Sequence, residues 1–394
     1  MSVPSTSLPL KKLNIPILRV PFDAEDRRFL QEGLEKILAT GGLTMGANTK
    51  AFETEFAALC GVPHAVATSN CTTALEIILR AVGVRGGTVI VPTNTFIATA
   101  FAAVHAGAKI VFADSDPETL CLCPKDLEKR LRPDTKAVIL VHIGGVVTPA
   151  IEQIKKLCDD RGIPLIEDCA HAHGSSYKGI QAGAWGLAGA FSFFPTKVLV
   201  SGEGGLITTK DAALCEKFMM LRNHGKNPKL GNRISEMGHN WRLSELTALM
   251  ALQQTRKAKA IYADRQKTAA YYDRELASFT QVRALKLGQG VESTYYKYVI
   301  YLQPGVSRDA LKKLLKDEYT VSLTGEIYDV PAHKEPVWAA NPEAALNAGD
   351  SFPGAEKIAA QHACLPLYPG MTDEERAYVV SSLREALQKL TGKA

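Results

Sequence analysis

Seven short apolar runs, at residues 64–69, 88–92, 108–114, 136–142, 163–168, 189–194 and 205–209, constrain this chain more than any other feature. Segments with helical spacing lie between the first six, among them Thr73 to Val82, Phe96 to Ala106, Pro124 to Leu131 and Ala150 to Arg161. Short apolar runs read as strands, and apolar residues spaced by a helical period read as amphipathic helices. When the two alternate, each helix is a crossover that returns the chain to the same end of the sheet and covers the face the strands leave apolar. The reading is an α/β fold whose large domain holds a seven-stranded, mainly parallel sheet with helices on both faces.

The pattern changes after Trp241. A long helix is expected from Ser244 to about Arg274, then a strand over Tyr295-Tyr296-Lys297-Tyr298-Val299-Ile300-Tyr301 and a helix from Arg308 to Glu318. This predicts a smaller α+β C-terminal domain, with residues 1–260 in the large domain and 261–394 in the small one. Residues 1–15 read as an N-terminal arm or frayed terminus. A chain of 394 residues is long enough for two domains and a large core. Its net charge of +5 is too mild for a dedicated nucleic-acid surface. Neither an apolar signal-peptide core nor a run of about 18 apolar residues that would span a membrane is present. The eight cysteines are scattered, and the closest pair, Cys121 and Cys123, lacks a second pair to complete a zinc site. Reduced thiols in a cytoplasmic protein are the simplest account. His105, His142 and His173 fall on separate elements without ligand spacing, so no metal is expected.

In parallel α/β sheets ligands lie at the carboxyl ends of the strands, and three such ends here carry chemistry. Lys197 follows Phe191-Ser192-Phe193-Phe194-Pro195-Thr196 and precedes the turn Gly202-Glu203-Gly204-Gly205. A lysine between an apolar strand and a tight turn is well placed as a Schiff-base amine, although a lone lysine near a strand end more often just snorkels to water. Asp168 ends the run Gly162-Ile163-Pro164-Leu165-Ile166-Glu167, where a carboxylate can keep a cofactor's pyridine nitrogen protonated. It can also cap a helix beginning at Cys169. Finally, the run from His64 to Ser69 passes through Asn70-Cys71-Thr72-Thr73 into a helix, which leaves hydroxyls and free N–H groups at its positive end. Thr72 and Thr73 are the candidates there for a phosphate. Capped junctions of this kind also occur without a ligand. Together the three point to pyridoxal phosphate.

The wider set of motifs runs in fixed order: Thr-Ser-Asn-x-Thr-x-Ala-Leu (68–75), Val-Ile-Val-Pro-x-x-Thr-Phe-x-Ala-Thr-Ala (89–100), Ile-Glu-Asp-Cys-Ala-His-Ala-His-Gly (166–174), Phe-Ser-Phe-Phe-Pro-Thr-Lys (191–197), Gly-Glu-Gly-Gly (202–205), Arg-Asn-His-Gly (222–225) and Gly-His-Asn-Trp-Arg-Leu-Ser-Glu (238–245). From about Gly41 to Leu367 the chain resembles the DegT-type family of PLP-dependent nucleotide-sugar aminotransferases. The resemblance implies the type I aminotransferase fold and a homodimer with shared active sites. It further implies that Lys197 carries the cofactor as an internal aldimine and that Asp168 pairs with the pyridine nitrogen. Phe96 would stack on the ring, Thr72, Thr73 and Ser192 would hold the phosphate, His171 would lie near the ring hydroxyl, and Asn240 would reach the phosphate of the other subunit. Departures from the family pattern are Cys71 where glycine is frequent, His171 for glutamine, Val198 for asparagine, and the stretch Val141 to Val146, which lacks a tyrosine or glutamine. They bear on the substrate more than on the cofactor.

The basic segment from Arg222 to Arg233 reads as a mobile loop. It could clasp a diphosphate through Arg222, Lys226, Lys229 or Arg233, of which Arg222 and Lys226 are the named candidates, with a solvated loop as the alternative. In Tyr328-Asp329-Val330-Pro331-Ala332-His333, His333 is a candidate for sugar hydroxyls or a surface histidine. Trp185 and Tyr177 are open between core and pocket. The preferred reading is amino transfer from an amino acid, L-glutamate, to a nucleotide-linked keto sugar. The alternatives are a PLP-dependent sugar dehydratase, an enzyme like the amino-hydroxybenzoate synthases, or a nonenzymatic sensor on the same fold. Dehydrating relatives tend to replace the lysine by histidine, so Lys197 favours transamination. The lack of Gly-x-Gly-x-x-Gly after the first strand argues against a nicotinamide dehydrogenase.

Overall fold

A computed structural model describes residues 12–392. Two helices, α1 (Ala24–Thr40) and α2 (Ala47–Cys60), precede the alternation of β1 (His64–Thr68), α3 (Cys71–Ala81), β2 (Thr88–Pro92), α4 (Ile97–His105), β3 (Lys109–Ala113), α5 (Pro124–Arg130), β4 (Thr135–Val141), α6 (Ile151–Asp159) and β5 (Leu165–Asp168). A short ribbon, β6 (Ser176–Tyr177) and β7 (Ile180–Gln181), leads into β8 (Ala188–Ser192) and β9 (Gly205–Thr209). Then come α7 (Ala212–Arg222), the hairpin β10 (Lys226–Asn227) and β11 (Arg233–Ile234), α8 (Glu245–Arg256) and α9 (Ala258–Leu276). The remainder comprises β12 (Val282–Ala284), β13 (Val291–Glu292), β14 (Tyr298–Leu302), α10 (Arg308–Tyr319), α11 (Val337–Ala340), α12 (Pro353–Gln361), β15 (His362–Leu365) and α13 (Asp373–Thr391).

The seven apolar runs form one sheet in the order β1-β9-β8-β5-β4-β2-β3. Pairings among β8, β5, β4, β2 and β3 are parallel; helices make the crossovers as far as β5, whereas from β5 to β8 the chain returns through the β6–β7 ribbon and its turns rather than a helix. No helix separates β8 from β9, so β9 folds back antiparallel to β8, and β1 in turn lies antiparallel to β9. Every residue of β2, β8 and β9 is buried, as expected of strands covered on both faces.

Two expectations fail in detail. The helix from Ser244 to Arg274 is two helices, broken at Lys257, whose backbone leaves helical geometry at φ −91° and ψ 1°. The Lys257 ammonium there reaches Asp26 Oδ1 on α1 at 3.0 Å. The strand expected from Tyr295 starts only at Tyr298, because Tyr295 adopts a left-handed φ of 51°.

One apolar core surrounds the seven-stranded sheet. A second gathers Ile15, Tyr272, Leu311, Leu383 and their neighbours around the three strands β12, β14 and β15. Residue 260, the expected domain boundary, falls just inside α9, and Phe352 and Cys364 from the later part of the chain pack into the first core. Of the N-terminal arm, residues 1–11 lie outside the described residues. Ile15 is not frayed: it is fully buried and its N–H donates to Thr320 O at 3.0 Å. Among the described residues no helix is long and apolar enough to cross a membrane.

Candidate active site

The carboxyl ends of β4, β5 and β8 lie side by side, with Asp168 opposite Val141 on one flank and Ala190 on the other. Above them, a cavity of about 440 Å³ is lined by Asn70, Cys71 and Thr72 from the β1–α3 junction, Thr95, Phe96 and Thr99 from the start of α4, and Asp168, His171, Ser192 and Lys197. Tyr296 and Tyr328 close it from the C-terminal part of the chain. A larger surface hollow, about 520 Å³ between Arg85 and Met237, shares none of these residues. The convergence of titratable groups, rather than size, marks the smaller cavity as the site.

Asp168 is buried, and its carboxylate accepts hydrogen bonds from neutral donors: the Thr99 hydroxyl at 2.8 Å, the Ala170 N–H at 3.1 Å and the Cys71 thiol at 3.9 Å. Burial raises its pKa above the ordinary carboxylate value, against the opposing pull of Thr99, the Ala170 N–H and Lys197. No helix starts at Cys169; the chain makes turns there instead, and the Ala170 bond is what remains of the capping alternative.

At the β1–α3 junction Asn70 caps the helix. Its side chain accepts the Thr73 N–H at 2.9 Å, and the Thr73 hydroxyl turns back to Asn70 and to Ser69 Oγ at 3.2 Å. Thr73 is therefore engaged in the cap and does not line the cavity, whereas Thr72 does. The first-turn N–H groups of Cys71 and Thr72 have no intrahelical acceptor and lie at the positive end of α3. Gly205 makes the junction possible: a Cβ on it would stand 2.2 Å from the Asn70 carbonyl.

Lys197 occupies the β8–β9 loop, which is closed at its base by Phe193 N–H to Gly204 O (2.9 Å) and Ser201 N–H to Phe193 O (2.8 Å). Its ammonium lies 4.8 Å from the centre of the Tyr296 ring. Tyr296 in turn stacks on His171, with ring centres 3.9 Å apart, and its hydroxyl lies 3.3 Å from Thr196 Oγ1. Burial alone would raise the Tyr296 pKa, but Lys197 and Lys297 outweigh it and bring the phenol below its ordinary value. His171 is held neutral, its pKa well below the usual imidazole range, by burial and by the same two lysines. Its Nε2 lies 3.3 Å from the Tyr328 hydroxyl, and the Gly144 N–H donates to its Nδ1 at 3.4 Å. Phe96, 58% exposed, stands 6.0 Å from the Tyr328 ring at the mouth.

Of the residues singled out by sequence, the structure brings Thr72, Phe96, Asp168, His171, Ser192 and Lys197 together. Arg222 is not in a mobile loop. It is the last residue of α7, buried, with its guanidinium 2.6 Å from Glu53 and 2.8 Å from Ala67 O, so it is committed to the core and cannot clasp a diphosphate. Lys226 is exposed on the β10–β11 hairpin, away from the cavity of its own chain. His333 is neither a surface residue nor a cavity residue: it is buried against Phe112 and Phe352 and hydrogen-bonded to Thr93. Asn240 is exposed, bridged to Asn223, and outside this cavity. Trp185 and Tyr177 pack on each other, 5.9 Å apart, and do not line it. Among the described residues one trio of potential metal ligands is close, His142, Glu167 and Cys169. The Glu167 carboxylate there is already taken by His142 and by the N–H groups of Gly183, Trp185 and Gly186. The sequence reading missed Tyr296, which sat inside a presumed strand, and Tyr328, which lay in a flagged segment whose histidine drew the attention. It also missed Thr95 and Thr99.

The family model for the DegT/DnrJ/EryC1/StrS aminotransferase family matches residues 24–384. The chain is 34% identical to the UDP-N-acetyl-3-dehydro-alpha-D-glucosamine 3-aminotransferase of Acidithiobacillus ferrooxidans, over 90% of this chain and 93% of that one. It is 32% identical to the dTDP-3-amino-3,4,6-trideoxy-alpha-D-glucose transaminase of Micromonospora megalomicea subsp. nigra, over 93% and 96%. Among solved structures, S. venezuelae DesV in complex with a ketimine intermediate superposes with a TM-score of 0.86 at 30% identity, covering 94% of this chain and 98% of that one.

Proposed function

We propose, proceeding from the premise that this chain belongs to the DegT/DnrJ/EryC1/StrS aminotransferase family and is a pyridoxal-phosphate-dependent sugar aminotransferase, that it moves the amino group of L-glutamate onto a ketone carbon of a nucleotide-linked sugar. One observation carries the reading: a buried carboxylate held by neutral donors alone shares a cavity with the amine of Lys197. Among the described residues no cation forms an ion pair with that carboxylate, although Lys197 acts on it across the cavity, and a protonated pyridine would supply one. At another wall the Thr72 and Ser192 hydroxyls and the free N–H groups of α3 suit a phosphate. The residues therefore fit the cofactor.

Bound pyridoxal phosphate supplies an electron sink conjugated to the carbon whose proton is moved. Asp168 holds the proton on the pyridine nitrogen, an electrostatic contribution on the order of several kcal/mol in a dry site. Thr72 and Ser192 bind the phosphate, and Thr73 supports them by fixing the turn through its cap. Phe96 would cover the ring, and neutral His171, kept oriented by Tyr296 and Tyr328, would hold the ring hydroxyl. Lys197 Nζ would anchor the cofactor and, once freed, would be the base that takes the proton from the donor's α-carbon and the acid that gives it back. The same movements in reverse serve the keto sugar.

The assembly proposed is a cytoplasmic homodimer in which Asn240 reaches the phosphate bound by a second copy, with Lys226 on the same exposed segment directed at the sugar nucleotide. Apolar side chains exposed beside Asn240, Ile234 at 62% and Met237 at 85%, support an interface there. A large domain through residue 260 and a smaller one beyond it are the proposed division. Adding L-glutamate to the holoenzyme should convert the cofactor absorbance to the pyridoxamine form with release of 2-oxoglutarate, and a nucleotide-linked keto sugar should reverse it. Failure of glutamate to convert it, or failure of every sugar in a panel of UDP-, dTDP- and GDP-linked keto sugars to reverse it, overturns the assignment.

A further inference from the structure

A line of hydroxyls runs from the first turn of α4 to Asp168. Thr99 Oγ1 donates to Asp168 Oδ2 at 2.8 Å, and Thr95 Oγ1 lies 2.8 Å from Thr99 Oγ1. Both threonines are buried, at 2% and 1% exposure, and four residues apart they meet on one face of the chain as it enters the helix. A hydroxyl has a single proton to donate. Thr99 gives its proton to a carboxylate that can only accept, so Thr95 must donate to Thr99, and the line has one direction: Thr95 to Thr99 to Asp168. The other carboxylate oxygen, Oδ1, takes the Ala170 N–H at 3.1 Å. One oxygen is thus tied to the strand's own turn and the other to a different helix, which leaves the carboxylate plane no free rotation.

We propose that Thr99 is a positioning residue for the reaction, fixing the orientation and the ionised state of Asp168, and that Thr95 sets the direction of the Thr99 hydroxyl. The proposal rests on the reading that Asp168 holds the proton of the cofactor's pyridine nitrogen. Burial pushes Asp168 toward its neutral form, and the Thr99 hydroxyl is the foremost of the interactions that oppose it. The other titratable groups facing the carboxylate are Lys197 from the β8–β9 loop, His142 at the end of β4, Cys71 on α3, Cys169 next along the chain and Tyr328 across the cavity. None of them donates to Oδ2, so none replaces Thr99 when it is lost.

The test uses the holoenzyme of Thr99→Val, Thr99→Ser and Thr95→Val, loaded with cofactor labelled with nitrogen-15 in the ring. The ring-nitrogen chemical shift reports protonation independently of turnover, and the glutamate half-reaction gives the rate. Loss of one hydrogen bond to a charged group predicts that Thr99→Val lowers the half-reaction rate about 10- to 100-fold. Half-saturation by glutamate should stay near wild type, and the ring nitrogen should lose its proton at lower pH than in wild type. Thr99→Ser should restore both readouts, and Thr95→Val should show a smaller change in the same direction. A Thr99→Val enzyme with wild-type ring nitrogen and rate overturns the proposal, as does a Thr99→Ser enzyme as impaired as the valine variant, which would reduce Thr99 to packing. If Thr99→Val does not fold, Thr99→Ser and Thr95→Val decide: a wild-type ring-nitrogen titration in Thr95→Val, or a serine variant without the wild-type one, overturns it. Asp168→Asn separates the two levels. If its ring nitrogen stays protonated as in wild type, the reading of Asp168 falls and this proposal with it; if it is deprotonated while Thr99→Val is not, only the role of Thr99 falls.

Discussion

Replacing Glu245 by alanine should loosen the start of α2 more than α8, the helix that carries it. Glu245 is buried in the first turn of α8 and reaches across to the N-terminus of α2: Oε1 accepts the N–H groups of Gly46 at 2.7 Å and Thr49 at 3.0 Å, and Oε2 that of Asn48 at 2.9 Å. The Thr49 hydroxyl also donates to Oε1. The N-cap of α2 is Gly46, which has no side chain to cap with, and a Cβ there would meet the Glu245 carboxylate at 3.0 Å. One helix thus receives its cap from another. Alanine leaves three backbone donors unpaired and removes an anion from two helix N-termini, which at roughly 1–3 kcal/mol per stranded donor, eased by relaxation and water, comes to about 4 kcal/mol. Glutamine keeps the acceptor at Oε1 but turns an amide donor toward the Asn48 N–H, so it should cost about 2 kcal/mol. Amide hydrogen exchange reads this locally: Gly46, Asn48 and Thr49 should lose about a thousandfold in protection in Glu245→Ala. Burial by itself would raise the Glu245 pKa, yet the Thr49 hydroxyl and the three N–H groups hold it below the ordinary value. The stabilisation is therefore complete above the unfolded pKa of about 4.3 and is lost as pH falls through the lower folded value; Glu245→Gln should lack that dependence. Unchanged protection at the three amides in Glu245→Ala, or glutamine as damaging as alanine, would refute the reasoning.

Borohydride reduction of the holoenzyme should fix the cofactor to Lys197, as read by peptide mapping. Recovery of the label on Lys297, whose ammonium lies 5.3 Å from the centre of the same Tyr296 ring, would move the anchor to the other lysine. Lys197→Ala and an inactivating Asn240 substitution should each abolish turnover yet recover part of it when mixed under conditions that exchange subunits. A hybrid dimer has one site free of both lesions, so demonstrated hybrids without activity would leave Asn240 a structural residue.

The strands were legible because burial on both faces forces continuous apolar runs, and the groups next to strand ends, Asp168, Lys197, Ser192 and Thr72, were legible with them. Tyr296 was not, because nothing local shows that Tyr295 reverses its φ. That turn depends on Arg265 of α9, whose buried guanidinium donates to the carbonyls of Thr294, Tyr295 and Tyr296. The helix boundaries misled in the same way at Arg222, where a cation among glycine and asparagine reads as loop, while its place at the end of α7 turns it inward to Glu53. At His333 the neighbouring Lys334 and Glu335 signal exposure, but a tight helical turn over Ala332–Lys334 brings the ring Nδ1 to the Thr93 hydroxyl. Composition reports what a segment tolerates; which way one side chain faces is set by partners far along the chain.

The antiparallel return of β9 has a bearing on how the protein is made. β1 emerges early from the ribosome, but the sheet neighbour it pairs with, with Thr68 opposite Gly205, is synthesised only after the whole parallel sheet. Until β9 slides between β8 and β1, the β1–α3 junction at Asn70 and the loop bearing Lys197 belong to separate pieces of a nascent chain. Long-range pairings of this kind form late, and their unpaired edges invite association with other chains in the meantime. The two walls of the cavity at Asn70 and Lys197 are thus joined by the last strand of the sheet to be synthesised, before Tyr296 and Tyr328 close it, and a cofactor gripped from both walls would act as a clasp on that step, favouring the finished sheet over the open one.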